Sequence, residues 1–418
     1  MPAVANLLYL VHRMPYPPDK GDKVRSYHLL KHLAARHRVF LGTFMDDPDD
    51  ARHLPALRAI CTDLKVIPLH PRSARIASLG GLWRGQALTL RYYHDARMHR
   101  WVADTVARQK IDAAVVFSSS MAQYAQRWPA LPMLVDLVDV DSAKWTDYAD
   151  AHRWPMSWLY RREGAQLLGY ERAVVGQAAQ SFLITANEVD LFTRLAPESR
   201  GRVHGLSNGV DAVYFSPHPA RPTPFEAGEI PLVFTGAMDY WPNVDAVCWF
   251  AQEALPLLRT LWPTLRLHIV GRSPTPAVLA LAGPAVAVTG TVPDVRPYLQ
   301  HAAVVVAPLR LARGLQNKVL EAMAMARPVV AAAPCVDAIQ AIAGEHLLAA
   351  RSSADYVAAV SGLLRAPETA AALGRAARRQ VLNVYNWTAQ LALLDRHLDS
   401  ACANGPPARQ PADLAAVL

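Results

Sequence analysis

The sequence predicts an α/β protein of two Rossmann-like parallel-sheet domains facing each other across a cleft. Three observations carry this. Short apolar runs rich in β-branched residues alternate with helically spaced segments, the pattern of βαβ units. The alternation stops at one proline-rich stretch and then restarts. The 418 residues, at roughly 150 per domain, suit two or three domains. At 52% hydrophobic and 19% charged, the chain can bury large cores without crosslinks.

In the first half, Asn6 to Val11, Val39 to Phe44, Leu64 to Leu69, Ala113 to Phe117, Met133 to Val138 and Ser181 to Thr185 read as strands, with helices at Tyr27 to Ala35 and Arg97 to Arg108. Residues 216–231 hold five prolines in sixteen positions, so they read as a linker. Beyond it, Leu232 to Thr235, Leu265 to Val270, Ala285 to Thr289, Val304 to Pro308 and Val329 to Ala333 read as strands, and Ala246 to Leu258 and Asn317 to Ala326 as helices. The predicted division is a first domain at 1–215, a second at 232–386, a helix at 387–401 placed to return to the first domain, and a disordered tail at 402–418. In such sheets ligands bind beyond the carboxyl ends of the strands.

Charge and composition narrow the function. The net charge is +8. Residues 1–218 hold 27 Lys and Arg against 21 Asp and Glu, so this half contributes +6 and the remainder +2. Such a half suits an anionic membrane or a polyanionic sugar. It does not suit nucleic acid, because no helix-turn-helix, zinc finger or RNA-binding signature accompanies it. No run approaches the 20 or so apolar residues of a membrane span. Ala3 to Val11 is too short for a secretory signal, and the chain reads as cytoplasmic. Cys61, Cys248, Cys335 and Cys402 are far apart and read as free thiols. The histidines show no metal-ligand spacing. Gly81 to Trp101 mixes basic and aromatic residues, and reads either as an ordinary helix and loop or as an interfacial contact with a membrane.

The strongest chemical signal runs from Val304 to Ala331. A buried strand ends at Pro308, and a loop with Arg310, Arg313 and Gly314 follows. A helix then begins near Asn317 and carries Lys318 and Glu321. A helix N-terminus offers free N–H groups and a positive dipole end to a phosphate. Arg310 and Lys318 add full charge, and Glu321 is placed to accept hydrogen bonds from two ribose hydroxyls. Together they form a site for a nucleoside diphosphate. Gly236, Arg272, Gly21 and Lys23 sit at other strand ends. The glycines allow close backbone approach to a ligand. Asp139 and Asp141 follow a strand and read either as a D-x-D metal pair or, for Asp139, as a group orienting an acceptor hydroxyl.

The pattern P-L-R…G…N-K-x-L-E-A-M-A…P-V-V resembles the retaining glycosyltransferases of family GT4, which have the GT-B fold. Ser207-Asn208-Gly209-Val210-Asp211 with Phe215, Phe234 to Asn243, Ile269 to Arg272, Thr289 to Val295 and His12 to Lys23 match further family motifs in order. The resemblance spans about residues 5–390 and is closest to the sugar transferases of exosortase and exopolysaccharide gene clusters. It implies transfer from a UDP- or GDP-sugar donor, with retention and no required cofactor or metal, to a glycan or lipid-linked acceptor. The first domain would bind the acceptor and the second the donor. Asp139, Arg310 and Lys318 would be catalytic, and Gly21, Lys23, Gly236, Arg272, Arg313, Gly314, Asn317 and Glu321 would hold the donor. Two departures stand out. Arg313 occupies the place of a Glu that contacts the donor sugar in many members. The family's Arg and Lys in the first donor-domain loop are replaced across Ala237, Met238 and Asn243. Nucleotide-sugar 2-epimerases share the fold, and a non-catalytic donor-binding subunit would share the site; both are alternatives.

Overall fold

The computed structural model describes residues 4–18, 21–310 and 315–404. They form two compact units, Met1–Leu206 with Leu391–Leu418, and Ser207–Gln390. The first contains strands β1 (Asn6–Val11), β2 (Arg38–Met45), β3 (Asp63–Pro68), β4 (Ala113–Phe117), β5 (Met133–Val138), β6 (Gln180–Leu183) and β7 (Val203–Gly205). They make one parallel sheet in the order β3-β2-β1-β4-β5-β6-β7. The second contains β8 (Ile230–Thr235), β9 (Leu265–Val270), β10 (Val286–Gly290), β11 (Val304–Ala307), β12 (Val329–Ala332) and β13 (Leu348–Ala350), in the order β10-β9-β8-β11-β12-β13. Each is a Rossmann-like doubly wound sheet. The strand order reverses between β1 and β4 in one unit and between β8 and β11 in the other, and ligands bind such sheets at these switch points.

Central strands are continuous apolar runs because helices cover both faces of a parallel sheet. Leu7 through Val11 of β1 are fully buried, as are all residues of β4 and β11. The helices show why some boundaries were hidden from periodicity. The first helix starts at Gly21, not Tyr27, and runs to Ala34. Its opening residues read as polar, yet Lys23, Arg25 and Ser26 are buried. Arg25 makes a bidentate ion pair with Asp136 of β5, at 2.7 and 3.0 Å, and Lys23 meets Asp50 at 2.5 Å. The helix predicted at Ala246 begins at Trp241 with a proline in its first turn, passes a π-helical turn at Phe250–Ala254, and ends at Leu261.

The units do not divide at the proline-rich stretch. Residues from Ser207 onward already belong to the second unit. Asn208 Nδ2 donates to Asn317 Oδ1 at 2.9 Å, and Val210 N–H donates to the Tyr385 carbonyl at 2.8 Å. Arg378 donates to the Phe215 carbonyl at 3.0 Å, and Gln300 accepts from His218 N–H at 2.9 Å. The last helix spans Trp387–Asn404, so it reaches past residue 401 into the predicted tail. From Leu391 it belongs to the first unit, where Asp395 faces His32 at 2.9 Å and also pairs with Arg36. The remaining tail lies outside the described residues.

Candidate functional site

In the second unit the carboxyl ends of β8, β9 and β11 meet at the switch point. β8 is followed by Gly236 and β9 by Gly271, both at positive φ (156° and 157°). A Cβ on Gly271 would lie 1.6 Å from the Gly236 carbonyl oxygen. A Cβ on Gly236 would lie 3.0 Å from Lys318 Nζ and 2.8 Å from Asn243 Nδ2. The two glycines therefore let two strand ends touch and leave room for a lysine above them. Arg272 follows directly, its carbonyl accepting from Met238 N–H at 2.8 Å.

The helix Asn317–Ala324 begins at this edge, and its N-cap residue, Gln316, makes no side-chain capping hydrogen bond. Asn317 is held by Asn208, so the S-N-G-V-D segment fastens the helix start. Gly209 of the same segment packs on Trp387, whose ring would be 2.6 Å from a Cβ there. Lys318 reaches over the Phe234 ring, 4.4 Å from its centroid, and donates to Asn243 Oδ1 at 2.5 Å. No carboxylate pairs with it among the described residues. Burial pushes its pKa down to about 8. Burial likewise pushes Glu321 up to about 7, opposed by the charge of Lys318. The Glu321 carboxylate has no hydrogen-bond donor among the described residues. This edge thus offers a cation and a carboxylate, both costly to keep charged without a ligand.

Arg310 is different. It makes a bidentate pair with Asp245, at 3.1 and 2.5 Å, beside the Trp249 ring, and is half exposed. Its charge is already matched by Asp245, where the sequence reading placed it beside Lys318 as catalytic. Asn243, in the turn after β8, positions Lys318. Arg313 and Gly314 lie outside the described residues.

In the first unit, the switch point carries a polar network. His12, just past β1, stacks on Phe117 at 5.7 Å and meets Tyr93 edge-on at 5.5 Å. Its Nε2 is 3.5 Å from Asp22, in the first turn of the helix that Gly21 opens. Arg13 bridges Asp22 at 2.8 Å and Asp46 at 2.9 Å. Burial opposes ionisation of Asp22, but the His12 hydrogen bond and the Arg13 charge hold its carboxyl well below the usual range. Gly21 is exposed at this edge. Lys23 is not: its ammonium is 1% exposed against Asp50, so it braces the helix rather than facing a ligand, a second correction.

Asp139 and Asp141 follow β5, whose last residue, Val138, has φ 70°, a costly conformation for a β-branched side chain. Lys144 Nζ sits between the two carboxylates, 2.8 Å from Asp139 and 3.0 Å from Asp141. The lysine takes the place a cation would occupy, which removes the basis of the metal-pair reading. Asp139 Oδ1 remains buried with no donor among the described residues. Glu171 below the pair is pushed up to about 8 by burial and by Asp141. Sequence reading missed Asp245, Lys144 and Asp46. Each lies beyond a strand end, and that position was the only signal available.

Residues 229–366 match the family model Glycosyl transferases group 1. No curated protein matches the chain. Among solved structures, sucrose-phosphate synthase from Thermosynechococcus elongatus aligns with a TM-score of 0.68 at 17% identity, covering 95% of this chain and 100% of that one. Anabaena Alr3699/HepE in complex with UDP aligns at 0.65 and 13% identity, covering 94% and 100%. WaaG, a glycosyltransferase involved in lipopolysaccharide biosynthesis, aligns at 0.60 and 16%, covering 93% and 99%. The fold is therefore that of the GT-B glycosyltransferases, two Rossmann-like parallel-sheet domains. The second unit carries a glycosyl transferase group 1 domain.

Proposed function

We propose that the chain is a GT4-type glycosyltransferase, moving a hexose from a UDP- or GDP-sugar to a glycan or lipid-linked acceptor, with retention, in bacterial exopolysaccharide synthesis at the cytoplasmic side of the membrane. The observation that carries this reading is the β8/β11 edge, where Lys318 and Glu321 stand beside touching glycine turns at a helix N-terminus. Lys318 and the first-turn amides suit the diphosphate, and Glu321 suits two ribose hydroxyls. Anabaena HepE, of the same fold, holds UDP and UDP-glucose in its structures.

In the reaction, the bond from the anomeric carbon to the diphosphate oxygen breaks and the acceptor oxygen bonds to that carbon on the same face. The acceptor proton passes to the departing diphosphate. Lys318 stabilises the charge that develops on that leaving group, which lowers the barrier more than it strengthens ground-state binding. Asp139, with its unpartnered oxygen, orients the acceptor hydroxyl. No step requires a divalent cation.

The test is thermal-shift screening against UDP, GDP, ADP, CMP and dTDP and their common sugars, each with and without EDTA. Selective stabilisation by one diphosphate, unchanged by EDTA, supports the reading. Stabilisation only with Mg²⁺ or Mn²⁺, or by none of them, overturns it.

A further inference from the structure

The basic and aromatic segment from Gly81 to Trp101 forms one wall of a cavity in the first unit. Tyr93 and Trp101 turn inward: Tyr93 packs on His12 and Phe44, and Trp101 Nε1 donates to Asp63 at 3.1 Å. Arg91, His94 and His99 of the same segment line a cavity of about 490 Å³, together with Gln123, Arg127 and Gln166. That volume is in the range of small-ligand sites. The cavity adjoins the switch point of the first unit. Tyr93, which precedes His94, touches His12 just past β1. Ser120, which accepts from Gln123, lies just past β4. A glycan seated at that switch point reaches the cavity with a neighbouring sugar.

The walls are held before any ligand arrives. Glu163, in the helix Met156–Gln177, accepts from the N–H groups of Leu88 and Thr89 at 2.6 and 2.8 Å and from the Thr89 hydroxyl at 2.7 Å. This fixes the start of the short helix Leu88–Tyr92, which carries Arg91. Gln123 Nε2 donates to the Ser120 carbonyl at 2.8 Å and the Leu90 carbonyl at 3.2 Å, and its Oε1 faces His94 Nδ1 at 3.0 Å. The Tyr170 hydroxyl donates to Gln126 Oε1 at 2.8 Å, tying the helix that carries Gln166 to the residue before Arg127. Side chains fixed in this way lose little freedom when a ligand binds.

The lining is cationic and hydrogen-bonding, and no acidic residue belongs to it. Arg91 Nε is buried with no hydrogen-bond partner, and neither Arg91 nor Arg127 meets a carboxylate among the described residues. The acids close by are already committed. Glu163 is spent on its three donors, and Asp95, next to His94, pairs with Arg97 at 2.7 Å. Burial, and then the charges of Arg127 and His94, push the His99 imidazole down to about 4. A negative group relieves cations crowded in this way. Gln166 and the two imidazoles supply neutral donors and acceptors for hydroxyls. Ala87 and Leu90 add an apolar surface for the C–H face of a ring. Two arginines beside such groups match a sugar that carries one negative charge better than a bare ion.

We propose that this cavity binds an anionic sugar residue of the acceptor, its carboxylate or phosphate between Arg91 and Arg127 and its hydroxyls on His94 and Gln166. The proposal rests on the reading of the first unit as the acceptor domain, and the nucleotide edge of the second unit takes no part in it. The test is calorimetric titration of the full chain, without nucleotide, with glucuronate, galacturonate, glucose 6-phosphate, glucose and inorganic phosphate. The expected result is binding of at least one of the charged sugars, weakened by salt and about tenfold or more tighter than glucose or inorganic phosphate. Arg91→Gln and Arg127→Gln should each weaken that binding about tenfold. Arg127 is exposed, so its replacement leaves the fold intact. Gly169 also lines the cavity, and a Cβ there would meet nothing within 4 Å. Gly169→Phe should therefore fill the space and abolish binding at an unlowered thermal midpoint. All three variants should keep the parent protein's thermal response to nucleotide. Binding of no charged sugar, equal binding of glucose, or undiminished binding in the three variants overturns the proposal. Inorganic phosphate binding as tightly as the charged sugars overturns it in favour of a simple anion site. Charged-sugar binding in a protein that answers no nucleotide upholds the site while overturning the transferase reading.

Discussion

At the residue scale, the proposed donor site rests on Lys318 and Glu321. Burial brings their pKa values to about 8 and about 7, closer together than free side chains would be. Lysine must be protonated to hold a diphosphate, so affinity falls as pH rises past about 8. Glutamate must be ionised to accept two hydroxyls, so affinity falls as pH drops below about 7. Calorimetric titration of the matching nucleoside diphosphate should therefore show tightest binding between those values. Glu321→Gln should remove the acid limb and weaken binding about tenfold, the worth of hydrogen bonds to a charged acceptor. Lys318→Met should remove the alkaline limb. A flat profile in the parent protein would end both assignments. The position of these residues was legible beforehand: Asn317, Lys318 and Glu321 fall at a helix start after a buried strand. Partners were not legible. Nothing in the spacing shows that Arg310 meets Asp245, 65 residues away, or that Lys23 is closed off by Asp50.

Among the elements, the strands of the central sheets were the easiest to find. Both faces of each are covered, so their apolar runs are unbroken. Short edge strands escaped notice, because β7 and β13 are three residues each and only partly buried. The turn joining β8 to its following helix depends on contact rather than pattern. Gly271, just after β9, is a glycine because the Gly236 carbonyl of that turn occupies the space of its Cβ. Gly271→Ala should thus cost about 3 kcal/mol or more, from overpacking and an unfavourable φ together. It should lower the thermal midpoint and weaken nucleotide binding, because the Gly236 turn that seats Lys318 must move. An unchanged midpoint would show that the two strand ends are not packed as described.

For the molecule as a whole, the division into units follows contacts rather than sequence order. The proline-rich stretch reads as a boundary, but Asn208, Val210 and Phe215 are already bonded into the second unit. The last helix contributes Leu391, Leu394 and Leu398 to the first unit, each 1% exposed. Burying a leucine is worth about 2 kcal/mol, so truncation after Gln390 removes a large share of a typical domain's stability. Limited proteolysis of the truncated chain should digest the first unit while sparing the second. Equal resistance of both would refute the helix's role. The same arrangement bears on synthesis. The segment Ser207–Gln390 must leave the ribosome before the helix that completes the first unit does. At ordinary elongation speeds that delay is on the order of ten seconds or more. Throughout it the groove for those leucines stands open on a nascent chain, a natural landing place for a chaperone.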